Sequence, residues 1–229
     1  MRLSIKQPSA AGMALRTAVI LLIFVVAFTS LLAAAFLWTR PAIEAAAAEE
    51  KMKLIGEVLP RELYDNDVLK DSRQLAPSAV LGLDEASTAY LARKGGEVTA
   101  LVFEAVAPDG YGGKIRLMLA VGADNRVIGV RVVSHKETPG LGDYIDPRKD
   151  RNKAAPWIRQ FDNQGFEQVP LTHWKVKKDG GHFDARAGAT ISARAVTHSV
   201  RRALQFAVEH RDKLYALPAQ SSFGKEAKP

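Results

Sequence analysis

Three kinds of hydrophobic pattern follow one another along this chain. From Thr17 to Trp38 no charged residue interrupts the sequence, and 13 of those 22 positions are Val, Ile, Leu or Phe. At helical rise the stretch spans roughly 33 Å, the thickness of a bilayer core. Those 13 side chains contribute about −4 to −8 kcal/mol on an insertion scale. A cleaved signal sequence carries a shorter apolar region, about 7–15 residues, so the stretch reads as an anchor. Ala42 to Leu59, rich in Ala, Glu, Lys and Leu, reads as a juxtamembrane helix that Pro60 ends.

From Tyr90 the period changes to two. Tyr90–Arg93 and Val98–Val106 flank Lys94-Gly95-Gly96-Glu97, a hairpin turn. Ile115, Leu117, Leu119 and Val121 then alternate with Lys114, Arg116, Met118 and Ala120, and after Gly122-Ala123-Asp124-Asn125 the chain returns over Val127–Val133. Near the C-terminus the helical period reappears, with Val196, Val200, Ala203, Leu204, Ala207 and Val208 on one stripe. Meandering hairpins between helices predict an α+β domain built on antiparallel sheet. Five segments follow: residues 1–16 before the membrane, 17–38 in it, 39–60 juxtamembrane, 61–217 a folded domain, and 218–229 a polar, flexible tail.

Charge sets the orientation. Arg2, Lys6 and Arg16 precede the span without an acidic residue, whereas Arg40 is followed by Glu44, Glu49 and Glu50. The positive-inside rule puts the N-terminus in the cytoplasm and the domain outside, which in a bacterium is the periplasm. Four of the 32 basic residues lie in the first forty, leaving 28 against 25 acidic ones. That balance, with the signs interspersed, argues against nucleic-acid binding. There is no cysteine, hence no disulfide and no thiolate cluster. His135, His173, His182, His198 and His210 have no metal-ligand spacing. The chain also lacks a Gly-x-Gly-x-x-Gly fingerprint, a P-loop and an internal repeat.

Three stretches carry candidate chemistry. Gly110-Tyr111-Gly112-Gly113 leads the central hairpin and sets an aromatic ring at its rim. Ser134-His135-Lys136-Glu137-Thr138-Pro139-Gly140-Leu141-Gly142-Asp143 follows the returning strand. Pro139-Gly140 makes a rigid turn there, and Gly142 permits close backbone approach. Asp184-Ala185-Arg186-Ala187-Gly188-Ala189-Thr190 runs into the last helix, placing Thr190 and Ser192 where unpaired N–H groups and the helix dipole favour a phosphate. On local chemistry alone, the first stretch is a turn into a strand, the second a bare loop, and Thr190 or Ser192 in the third an N-cap.

Asp-x-x-x-Gly-Ala-Thr before a helix resembles the flavinylation motif of the FMN-binding subunits of two bacterial membrane complexes. These are the G subunit of the Rnf electron-transport complex and the C subunit of the sodium-pumping NADH:quinone reductase. The Gly-Tyr-Gly-Gly hairpin, His-x-Glu-Thr-Pro-Gly-Leu-Gly and the Thr190 motif occur in the family's order over residues 98–205, after a single anchor. Tyr64-Asp65-Asn66-Asp67, a loop on physical grounds, is similar to a segment of the G subunits. Ala187 stands where the family often has Ser or Thr, which leaves the acceptor in place.

The resemblance implies FMN held covalently by a phosphoester to Thr190, installed from FAD by a flavin transferase. Asp184, Gly188, Ala189 and Ser192 would surround the attachment, with Tyr111, His135, Glu137, Thr138, Gly140, Leu141 and Gly142 at the flavin. It implies an electron-transfer subunit on the bacterial inner membrane, in a complex coupling ferredoxin/NAD chemistry to ion movement, with the other subunits as partners. The quinone-reductase subunit and a flavin-free anchored scaffold or sensor are the alternatives. Trp157, Phe161 and Trp174 read as core.

Overall fold

The computed structural model describes residues 9–224. Residues 1–8 of the expected cytoplasmic segment and 225–229 of the expected tail lie outside them. The chain divides into two compact units, residues 1–50 and 51–229.

Nearly all of the described part of the first unit is helix. Helix α1 runs without a break from Ala10 to Val58, so the expected anchor and juxtamembrane helices are one element. Pro41 lies inside it, removing one backbone donor without ending the helix. Large apolar side chains from Met13 to Ile43 are exposed, among them Leu22, Phe24 and Trp38. A helical stretch apolar on every side and exposed along its length suits a hydrocarbon environment. Arg40 pairs with Glu44 one turn on, at 2.7 Å, where the polar residues resume.

The second unit is a six-stranded sheet between two helical layers. The strands are β1 (Ser72–Leu75), β2 (Ser87–Lys94), β3 (Glu97–Gly110), β4 (Gly113–Gly122), β5 (Val127–Ser134) and β6 (Ser221–Phe223), in the order β5-β4-β3-β2-β1-β6. All neighbours are antiparallel except β1 and β6, which are parallel. Gly95 and Gly96 join β2 to β3 with φ of +60° and +89°, the left-handed pair that a tight two-residue hairpin requires. The Tyr64–Asp67 loop is docked on β2: the Asn66 amide donates to Leu91 O at 3.0 Å, and its Oδ1 accepts from Arg93 N at 2.9 Å.

Two features depart from the sequence reading. The tail expected over 218–229 contains β6, because Ser221–Phe223 finds an open edge at β1. The alternation in β4 suggests one apolar face, yet both faces are covered. Helix α2 (Thr190–Ala216) packs on one, burying Val196, Val200, Ala203, Leu204 and Ala207 with Phe103, Leu117 and Leu119. On the other, the end of α1 contributes Ile55 and Val58 beside Tyr90, Val102, Met118 and Ala120. Gly129 makes this approach possible, since a Cβ there would stand 2.7 Å from Val58 O.

Between β5 and α2 the chain wanders through four single turns of 3-10 helix around an aromatic cluster. Phe161 lies 4.7 Å from Phe183, Trp174 4.8 Å from Phe183, and Trp157 meets Tyr144 edge-on at 5.4 Å. Trp157, Phe161 and Trp174 are buried, as a core reading requires.

Candidate functional site

Two turns of the same kind approach the start of α2. In Thr138-Pro139-Gly140-Leu141 the Leu141 N–H returns to Thr138 O at 3.1 Å, with Gly140 at φ +75°. In Arg186-Ala187-Gly188-Ala189 the Ala189 N–H returns to Arg186 O at 3.2 Å, with Gly188 at φ +84°. A positive third position is the type II arrangement that favours glycine. A Cβ on either glycine would meet nothing within 4 Å, so both turns stand open to their surroundings.

The third approach is the β3–β4 tip. Tyr111 projects from it, 69% exposed. A Cβ on Gly112 would fall 2.0 Å from Lys136 O, so only glycine lets the tip lie against the loop after β5. There the Gly112 N–H donates to Glu137 Oε1 at 3.0 Å. The other oxygen, Glu137 Oε2, accepts a very short hydrogen bond from Ser192 Oγ. Glu137 is 5% exposed and Ser192 1%. Gly142 closes over this pair, with no room for a Cβ. His135 completes the loop by accepting the Glu137 N–H on Nδ1 at 3.1 Å.

The first two stretches singled out in the sequence, and the helix into which the third runs, therefore meet at one buried carboxylate. Tyr111, Thr138, Gly140, Leu141 and Gly188 are exposed, Thr190 and His135 are half-buried, and Glu137, Gly142, Ala189 and Ser192 are buried. Asp184 is not part of this junction. Its carboxylate faces Lys177 Nζ at 2.8 Å, its N–H donates to Gln160 Oε1 and its carbonyl accepts from the Trp157 indole, both at 2.7 Å.

Neither hydroxyl caps α2. The cap position is Ala189, which makes no side-chain cap bond, and Thr190 is the first helical residue. The N–H groups of the first turn thus meet no capping side chain, and the positive end of the dipole lies beside the half-buried Thr190. Ser192 is turned to Glu137, and Thr197 is buried with its hydroxyl on Ala193 O at 2.8 Å.

A brace that the sequence did not reveal holds the approach to Thr190. Arg186 forms an ion pair with the fully buried Asp150, and its guanidinium lies 4.8 Å from the Tyr144 ring centre. The Tyr144 hydroxyl accepts from Arg186 N at 3.1 Å and donates to Ala189 O at 3.3 Å. Burial pushes the Tyr144 phenol up, against the nearby Arg186, so it stays a donor. Burial alone would raise the Asp150 carboxyl too. The N–H groups of Trp157 and Asn152 and the Arg186 guanidinium outweigh it and hold the group below its ordinary value. In the sequence, Asp150 sits in Asp146-Pro147-Arg148-Lys149-Asp150-Arg151, indistinguishable from a solvated charge run.

A cleft of about 670 Å³ lies elsewhere, on the α1 face of the sheet between Ile55, Tyr90, Met118 and Arg116, and none of the candidate site residues lines it. Among the described residues no group of His, Asp and Glu is placed to hold a metal ion.

Residues 110–205 match the FMN-binding domain family. The chain is 38% identical over 203 residues to the G subunit of the ion-translocating oxidoreductase complex of Vibrio atlanticus, covering 89% of this chain and 94% of that protein. With the protein of the same name from Pseudomonas aeruginosa the identity is 41% over 202 residues, 88% and 92% of the two chains. With that of Shewanella loihica it is 38% over 204 residues, 89% and 94%.

Proposed function

The chain belongs to the family of G subunits of ion-translocating oxidoreductase complexes, with that family's FMN-binding domain, and we propose that it serves such a complex as a membrane-anchored electron relay carrying FMN on Thr190. The observation that carries the attachment is the contrast among hydroxyls at the start of α2. Thr190 is only half-buried beside uncapped N–H groups, while Ser192 and Thr197 are buried and bonded.

The residues present suit the group. A phosphate at Thr190 would meet the first-turn N–H groups and the helix dipole. The open glycine turns at Gly140 and Gly188 leave room for a flat ring system, and Tyr111 and Leu141 offer it exposed apolar surface. Bound there, FMN supplies one-electron chemistry, while the protein sets its position and potential. In attachment, Thr190 Oγ1 forms the bond to the flavin-side phosphorus of FAD. The phosphoanhydride bond breaks, AMP leaves with its electron pair, and the hydroxyl proton passes to a base of the flavin transferase. No carboxylate interrupts residues 17–38, so ion passage falls to the other subunits, which are the partners of this chain. Residues beyond Trp38 are assigned to the periplasm on the charge asymmetry.

Thr190→Ala removes the acceptor and is expected to abolish flavin fluorescence on a denaturing gel after co-expression with a flavin transferase, with Thr190→Ser retaining part. Persistent fluorescence in Thr190→Ala would place the flavin elsewhere. An active periplasmic reporter fused to the C-terminus checks the orientation, and activity of a cytoplasm-only reporter would reverse it.

A further inference from the structure

Glu137 is an expensive residue to place where it is. A carboxylate removed from water is strongly destabilising unless its oxygens are bonded, and apolar side chains of like volume would fill the space at lower cost. Its two oxygens reach two different elements, Gly112 on the hairpin tip and Ser192 on α2. The backbone around it is cut to its size: a Cβ on Gly110 would lie 2.8 Å from Oε1, and one on Gly142 2.6 Å from both Oε2 and Ser192 Oγ.

Helical geometry links this contact to the acceptor. Residues two apart on a helix differ in direction by about 200°. When Ser192 is held inward, Thr190 must face out, which agrees with their exposures. The residue before each contact is also exposed and apolar: Tyr111 at 69%, Leu141 at 54% and Ile191 at 46%. Fixing positions 112, 142 and 192 around one carboxylate thereby fixes three apolar side chains on the surface near Thr190.

We propose that Glu137 is a positioning residue that selects the acceptor: it locks Ser192 inward through a buried hydrogen bond and so leaves Thr190 as the hydroxyl of the first helical turn open to flavin transfer. This rests on the covalent reading above. Ser192, closed to solvent with its proton held by Glu137, cannot enter the transfer step. Glu137 itself touches neither FAD nor the phosphorus.

The test uses the full chain in detergent with a flavin transferase and FAD. Timed in-gel fluorescence reads the labelling rate, tandem mass spectrometry of the peptide reads the labelled hydroxyl, and circular dichroism confirms folding. Glu137→Ala is expected to slow labelling of Thr190 by about tenfold or more, as a misplaced acceptor should, and to put a measurable share of FMN on Ser192. Glu137→Gln can still accept from Gly112 and donate to Ser192 Oγ, so it should restore most of the rate with the label on Thr190 alone. Labelling of Glu137→Ala at the wild-type rate, or solely on Thr190, overturns the proposal. If Glu137→Ala does not fold, Ser192→Ala tests the same contact from the helix side. A slower rate is expected, and an unchanged one overturns the proposal. A wild type that takes no label removes the covalent reading instead.

Discussion

The two faces of the sheet are covered by different means. On the α2 face, the apolar stripe of α2 closes a core that includes Phe103, Leu119, Val196 and Leu204, all fully buried. On the other, the last turns of a helix whose first four-fifths serve another environment contribute a few side chains, and a cleft of about 670 Å³ stays open beside them. The candidate site lies at the entrance of the closed layer, where its short side chains can be held by packed neighbours. The cleft is lined by ionic groups such as Glu104, Lys114 and Arg116, which water can reach. Closure, more than cavity volume, distinguishes the face on which the candidate site lies.

That contrast can be broken by deletion. Phe103 is fully buried against Phe206, with ring centres 6.0 Å apart, so Phe103→Ala is expected to cost about 3–5 kcal/mol. Met118→Ala, on the opposite face at the edge of the cleft, should cost about 2 kcal/mol, because neighbours and water can fill the gap. Denaturant melts of the full chain in detergent measure both. Equal costs would mean that the two faces are packed alike.

How far the sequence went follows the same division. The apolar run of α1, the Gly95-Gly96 hairpin and the stripe of α2 are periodic, local signals, and each is present as an element. The three motifs were legible as stretches, yet the meeting of the first two with α2 at Glu137 was not, because spatial convergence of residues 112, 137, 142 and 192 leaves no periodic trace. β1 and β6 are too short to show alternation, and β1 buries a charged residue, Arg73. Met118 and Ala120 read as the outer face of β4 because nothing local to them announces that the end of α1 will cover it.

A second prediction concerns the brace behind Thr190. Asp150 is fully buried and accepts from Trp157 N at 2.7 Å and Asn152 N at 2.8 Å besides pairing with Arg186. Asp150→Asn should cost about 1.5–3 kcal/mol, the range for a hydrogen bond to a charged group. Its folded pKa lies below the ordinary 3.8, so between the two values the unfolded chain binds more protons. The stabilisation is therefore fully present above 3.8 and fades as pH falls through the lowered folded value. The melting difference between wild type and Asp150→Asn should be flat at neutral pH and shrink only in that acid window. A difference that already fades near neutrality would assign the effect to another group.

The smallest effect is expected on the open face. Arg116 Nη2 lies 2.6 Å from Glu104 Oε2, a diagonal pair across β3 and β4 in which Arg116 is 53% exposed. Both charges remain hydrated, and each long side chain loses rotamer freedom on pairing, so a double-mutant cycle through Glu104→Gln and Arg116→Gln should give about 0.2–1 kcal/mol. Salt should erase that coupling as the screening length falls toward about 3 Å near 1 M. The Asp150–Arg186 pair, with its carboxylate out of water, should retain most of its coupling in the same salt. If the two pairs lose it in parallel, solvent reaches both, and the layer behind Thr190 is no better closed than the cleft on the far side of the sheet.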